Sequence, residues 1–170
     1  RNTAYKQKDF IQKFNFKIFK TARLILNFQF SESSNINRFD KLSEKNEDGT
    51  LKFAEWYYGP QKRSFISSKL SFQAKKLFDR ADIIFAFQKI DESRNKRKFG
   101  SNLLNIQDEN LNVFSINSDF FKRIDRQKSI AYGFELTNNQ LNSDGFESMI
   151  NSDYINISLS RYPNDGSSYK

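Results

Sequence analysis

Three groups of residues in this chain are of types that could do chemistry. The first is aromatic: Trp56, Tyr57 and Tyr58 stand consecutively, and such side chains offer a ligand large contact surfaces. The second is basic: Arg94-Asn95-Lys96-Arg97-Lys98, with Lys75, Lys76 and Arg80 upstream, suits phosphate or an anionic surface. The third is acidic, Asp91-Glu92 and Asp108-Glu109. Each has a plainer reading. Trp and Tyr gather where a membrane meets water, a charge run is commonly a solvated loop, and adjacent strand residues point to opposite faces, so neither acidic dipeptide makes an acid/base couple. The stretch Glu44-Lys45-Asn46-Glu47-Asp48-Gly49 carries oxygen ligands without the spacing of a calcium loop.

The residue types that are missing narrow the field further. The chain has no His and no Cys, which excludes a thiol nucleophile, a disulfide framework, a His-based triad and the usual zinc sites. Its 6 glycines are scattered and form no phosphate-binding loop. No catalytic residue, cofactor or metal ligand is therefore expected, and the chain is not read as an enzyme. With 28 basic against 20 acidic residues, the net charge of +8 suits either an anionic polymer or an anionic membrane surface. No run of about 18 apolar residues exists, so no transmembrane helix is expected. The chain opens at Arg1 without a signal peptide and reads as an excerpt of a longer polypeptide.

The elements that would carry these residues show period-2 alternation. Phe14, Phe16 and Ile18 alternate with polar neighbours, and so do Leu24, Leu26, Phe28 and Phe30. The same pattern returns in 66–74, in 83–88 around Phe85 and Phe87, in 114–120, and in 130–137. A short helix over 36–45 fits the sequence, but no longer one does. About six strands of roughly 10 to 13 residues follow, longer than the usual 5 to 6. Their connections alternate between short ones at 19–21, 75–80 and 122–127 and long polar ones at 31–60, 92–110 and 137–170. Turn signals stand at Asp48-Gly49 and Gly59-Pro60.

Only 37% of residues are hydrophobic, yet 19 are Phe, and no helix or second sheet is visible to cover the apolar strand faces. In a transmembrane β-barrel lipid covers that face, the polar face lines the lumen, and short periplasmic turns alternate with long extracellular loops. The fold class is thus expected to be all-β: an antiparallel up-and-down transmembrane barrel segment. Its lipid-facing residues would be Phe14, Phe16, Leu24, Leu26, Phe28, Phe30, Leu70, Phe72, Phe85, Phe87, Phe114, Ile116, Tyr132 and Phe134. Lys17, Arg23, Lys69, Asp82 and Glu135 would face the lumen.

The runs EWYYGPQKRSFISSKLSF and KKLFDRADIIFAFQKIDESRNKRKFGS, with YGFELTNN and RYPNDGSSY later on, resemble the barrel of the TonB-dependent receptor family, outer-membrane transporters of Gram-negative bacteria. The resemblance runs from Asp9 to Tyr169 and is most specific over 55–101. It implies a barrel of about 22 strands around a plug. It further implies active uptake of a scarce ligand, such as a siderophore, haem, cobalamin or a glycan. The implied partners are outer-membrane lipid, the protein's own plug domain, a periplasmic TonB-type energy-coupling protein and the imported small ligand. Trp56, Tyr57, Tyr58 and the loops 35–58, 93–107 and 138–153 would stand at the extracellular mouth. Residues 1–170 hold no recognisable plug or coupling box, and they end at Lys170 rather than on a strand with a terminal aromatic. They are therefore expected to form part of one β-barrel domain, an incomplete barrel. The alternative expectation is a soluble basic β-rich nucleic-acid-binding protein with Phe-rich stacking platforms. That needs aromatics among Lys and Arg on one face, whereas here Phe shares its face with Leu and Ile, so no nucleic acid is expected as a partner.

Overall fold

Where large apolar and polar side chains alternate, the backbone is extended, and each such run pairs with the next. The computed structural model describes residues 4–74, 76–162 and, by backbone alone, 167–169; Lys75 and residues 163–166 of the run RYPNDGSSY lie outside the described residues. The elements are β1 (Gln7–Phe19), β2 (Ala22–Ser33), β3 (Ile36–Asn37), a one-turn helix α1 (Phe39–Leu42), β4 (Phe53–Tyr58), β5 (Lys62–Phe72), β6 (Arg80–Lys98), β7 (Leu103–Arg123), β8 (Ser129–Met149), β9 (Ile155–Ser158) and β10 (Ser167–Tyr169). They form one antiparallel sheet in the order β1-β2-β5-β6-β7-β8-β10, with β4 beside β6, β3 beside β4, and β9 beside β8. Neighbouring long strands follow one another up and down, and the sheet stays open: among the described residues β1 has β2 as its one partner.

The six expected strands are β1, β2, β5, β6, β7 and β8, but their lengths and connections differ from expectation. Strands β6, β7 and β8 run for 19, 21 and 21 residues. The supposed long loop 92–110 is mostly sheet: Arg97 pairs with Leu104, which leaves a tight turn at 99–102 around Gly100, whose φ is 75°. Likewise β8 carries the supposed loop 138–153 as strand as far as Met149. Strands β3 and β4 continue β2 and β5 beyond short breaks at 34–35 and 59–61, so 38–52 is the irregular part of the connection 31–60. The Gly59-Pro60 signal marks this break rather than a reversal. The physical reason is that apolar residues such as Tyr57, Ile106 and Phe146 are scattered among polar ones on these upper arms, so cross-strand hydrogen bonding holds them extended without a sustained apolar alternation to announce them. We call this the tall end. The opposite, short end has its turns at 20–21, 73–79 and 124–128.

Register decides which side chains share a face. Reading across β2, β5, β6, β7 and β8, the successive rungs are Leu24, Leu70, Ile83, Ser118, Phe134; then Leu26, Ser68, Phe85, Ile116, Leu136; then Phe28, Ile66, Phe87, Phe114, Asn138. Strand β1 adds Phe16 beside Leu24, Phe14 beside Leu26 and Phe10 beside Phe30. A rung nearer the short end brings Ala22, Phe72, Ala81, Phe120 and Tyr132 together. All fourteen residues expected on the apolar side therefore lie on one face.

Among the described residues nothing covers that face. Phe85 keeps 44% of its surface and Phe134 60%, and Ala81 is the one fully buried apolar side chain among the described residues. At its short-end border the face carries an aromatic ladder. Phe78 folds back from the turn between Phe72 and Phe120, at 5.3 and 5.4 Å, and Phe120 stacks on Tyr132 at 5.2 Å.

The other face is polar. Lys17, Arg23, Ser71, Asp82, Asp119 and Gly133 form one of its rungs, and Asn15, Ile25, Lys69, Ile84, Asn117 and Glu135 the next. Lys69 reaches across to Asp82 at 3.2 Å. Gly133 has no room for a side chain: a Cβ there would run into the Ser118 carbonyl oxygen and stand 3.3 Å from Asp119 Oδ1. Gly133→Val is therefore expected to destabilise the sheet by about 1–3 kcal/mol, the usual cost of overpacking, read as a lowered denaturation midpoint. Gly133→Ala should show a smaller shift in the same direction, and an unchanged midpoint in both would refute the close approach.

Candidate functional site

Above the apolar band, at the tall end, strand alternation divides the aromatic trio. Trp56 pairs with Lys96 and Tyr58 with Arg94, so both stand on the polar face, while Tyr57 pairs with Asn95 on the other. Of the three, Tyr57 alone shares the face of the apolar band. The basic run divides in the same way: it is strand rather than loop, with Arg94, Lys96 and Lys98 on the polar side and Asn95 and Arg97 opposite. Arg97 is engaged by Glu55 at 2.6 Å.

Two arginines close on the ring pair. Trp56 and Tyr58 meet edge to face at 5.0 Å between centroids. The Arg38 guanidinium lies 4.9 Å from the Trp56 ring centre and 5.6 Å from that of Tyr58, and Arg94 lies 5.5 Å from Tyr58 on its own strand pair. Such contacts are worth about 0.5–1 kcal/mol each at exposed sites. Arg38 Nη1 donates to Tyr58 Oη at 2.7 Å, and its remaining donors hold Asp40. The Asp40 carboxyl is consequently drawn down to about 2, chiefly by its hydrogen bonds from Arg38. Arg94 differs, because its Nε is buried without an acceptor. The four side chains thus present two cations and two π-faces on one surface, an arrangement suited to a planar or anionic ligand group.

Directly below sits a carboxylate pair that the sequence did not disclose. Glu92 and Glu109 are cross-strand partners on the polar face, where like charges oppose each other. Glu109 is 6% exposed and its Oε1 has no hydrogen-bond partner; Arg161 stands 3.9 Å from its other oxygen. Burial pushes the Glu109 carboxyl above its usual range and a hydrogen bond shared with Glu92 adds to this, against the pull of Arg161 and Arg94. Asp108 faces Asp144 across β7 and β8 on the opposite face, and its carboxyl is raised by burial and then by that neighbour. Each dipeptide does split across the sheet as expected. The pairs form between strands, and seeing them requires the register.

The loop 44–49 gathers no ligands. Asp48 Oδ1 accepts from the Thr50 amide and hydroxyl at 2.9 and 2.6 Å, Glu44 is held by Lys41 and Lys52, and no acidic group that could hold a metal ion forms among the described residues. Comparison of the chain with protein-family models, with curated proteins and with solved structures gives no match.

A raised carboxyl favours the fold when protonated, and that contribution is lost as pH rises through its folded value. Glu109→Gln is therefore expected to raise the denaturation midpoint at neutral pH and to leave it unchanged below about pH 4, where the ordinary carboxyl is itself protonated. A variant less stable at neutral pH would mean that the Arg161 pairing outweighs burial.

Proposed function

We propose that this sheet is a section of the wall of an outer-membrane β-barrel, and that the complete protein is a TonB-dependent receptor that actively imports a scarce small ligand. The observation that carries the membrane reading is the uncovered apolar band, in register across β1, β2, β5, β6, β7 and β8. From the Phe120–Tyr132 rung it rises six residues, about 20 Å, to Ile66, Phe87 and Phe114 on β5, β6 and β7, and eight, about 26 Å, to Phe30 on β2, at about 3.3 Å each. At a tilt of 35–45° about 14–21 Å of this lies along the membrane normal, against an apolar band of about 25 Å in such barrels. Short turns at one end and tall hairpins at the other follow the periplasmic and extracellular ends of that architecture.

The receptor reading rests on the resemblance of the runs around 55–101 and on what the polar face offers. Asn27 Oδ1, Arg94 Nε, Glu109 Oε1 and Asn117 Oδ1 are buried without partners, and all four belong to that face, where a polar plug or wet lumen would meet them. Trp56, Tyr58, Arg38 and Arg94 would contact the ligand near the mouth. In this reading the outer-membrane lipid lies against the Phe-rich face, and a periplasmic coupling protein supplies the energy.

The chain has no Cys, so single cysteines report cleanly on each face. In bilayers, Phe85→Cys and Phe114→Cys should react with a membrane-impermeant maleimide at least about tenfold more slowly than Thr137→Cys, since lipid excludes the reagent. Comparable rates would defeat the membrane reading and bring a soluble sheet back. Phe85→Arg is expected to cost about 2–4 kcal/mol at the band's centre, with Thr137→Arg costing far less, measured by unfolding from lipid. The transport half is checked by growth on haem, cobalamin or a ferric chelate as sole source. Arg94→Gln with Tyr58→Ala should weaken use of one of these while leaving membrane insertion unchanged.

A further inference from the structure

The irregular segment 38–52 encloses a feature that the barrel reading does not use. Between it and the β6–β7 turn lies a cavity of about 650 Å³ lined mainly by Phe39, Leu42, Leu51, Phe53 and Phe99. None of Arg38, Trp56, Tyr58 and Arg94 lines it, so it is separate from the guanidinium–ring cluster. It also stands beyond the apolar band, at the tips of the tall hairpins.

These side chains surround the space without filling it. The helix α1 buries no residue, and Phe39, Leu51 and Phe99 remain 48%, 38% and 60% exposed. Part of each apolar surface is therefore left in water, and a ligand in the cavity would bury it. The walls are held in place by local bonds. Ser43 Oγ donates to the Phe39 carbonyl oxygen at 2.8 Å, a bridge joins Lys45 to Leu51, and Asp48 pins Thr50 across the Gly49 turn. The Phe99 amide donates to the Lys52 carbonyl oxygen at 3.0 Å, tying the two hairpin tips together. A preformed site loses less affinity to ordering than a loose one, and this volume falls in the range of about 300–1,000 Å³ typical of small-molecule pockets.

Charge selects the ligand class. Lys45 lines the cavity and makes no ion pair among the described residues, because the nearby Glu44 is taken by Lys41 and Lys52. No carboxylate lines it. We infer that this cavity is a binding site for a small amphiphilic anion, with its apolar body among the Phe and Leu side chains and its single negative group at Lys45.

The test uses a photoactivatable diazirine derivative of benzoic acid and the corresponding benzyl alcohol, applied to the full polypeptide and mapped by mass spectrometry. The acid is expected to label peptides covering 39–54 and Phe99. Lys45→Gln should lower labelling by the acid about three- to fivefold, the effect of one exposed charge pair, while labelling by the alcohol stays unchanged. Leu42→Glu should abolish both. Labelling by both probes that persists in Leu42→Glu would overturn the site, and so would labelling confined to the Phe-rich strand face. Labelling lost in Leu42→Glu but equal for acid and alcohol would overturn the anionic ligand. The cavity lies outside the apolar band, so failure here leaves the membrane reading standing, and failure of cysteine protection leaves the cavity standing.

Discussion

The rest of the structure depends on one constraint, the lateral alignment of apolar residues across six strands. Side chains alternate with period two, so a slip of one residue in any pair would move a whole strand's Phe and Leu set to the polar face. Each pairing here keeps the set together. Phe14 meets Leu26, Phe28 meets Ile66, Ile66 meets Phe87, and Phe87 meets Phe114. No interior packing enforces this, because Ala81 is the one fully buried apolar side chain among the described residues. Cross-strand pairing and the tight turns set the register, and what lies against the aligned face is the question on which the proposed function turns.

The same constraint explains what could be read from the sequence. Strand existence and face assignment, including Lys69 and Asp82 on the polar side, follow from alternation, since Leu24 to Phe30 or Ile83 to Phe87 can satisfy one face only one way; that the two meet needs the register. The upper halves of β6, β7 and β8 could not be read so. From Glu92 to Asn110 the apolar residues lose their alternation, and the segment looks like a loop although Arg94 pairs with Gln107 and Arg97 with Leu104. The candidate site suffered from the same blind spot. Trp56 and Tyr58 stand on the opposite face from Tyr57 once 53–58 is a strand, and Arg38 joins them only because α1 and β3 fold beside β4. Nothing in the local sequence signals the opposition of Glu92 and Glu109, which depends on where the turn at 99–102 falls.

An open sheet of this length raises the question of its edges. Strand β1 is exposed along its entire length, and its outer backbone groups form a template for another strand. Lys8, Lys13 and Lys17 line that edge, as charged residues do where edge pairing must be limited. Yet Phe10, Phe14 and Phe16 stand beside them on the apolar face, and a long edge strand bearing Phe is poorly protected against association. Charge alone does not resolve that conflict; in the proposed barrel, closure against further strands would, because a barrel has no edge.

The division of labour between the two faces bears on how recognition can arise in such a wall. If the band lies in hydrocarbon, as proposed, its outer face must stay mostly apolar and has little freedom to vary. The polar face carries no such demand and can hold like charges, unpartnered amides and a buried Glu109. Above the band that reading sets no such constraint on either face, and there the chain places its Arg–aromatic cluster and the Lys45 cavity. The features able to discriminate a ligand therefore concentrate where the medium stops dictating side-chain type. They are held there by hairpins whose register was already fixed lower down, on the same strands, by the Phe and Leu of the band. A substitution that slipped β6 against β7 in the band would then displace Arg94 and Glu109 together, although neither touches the apolar face.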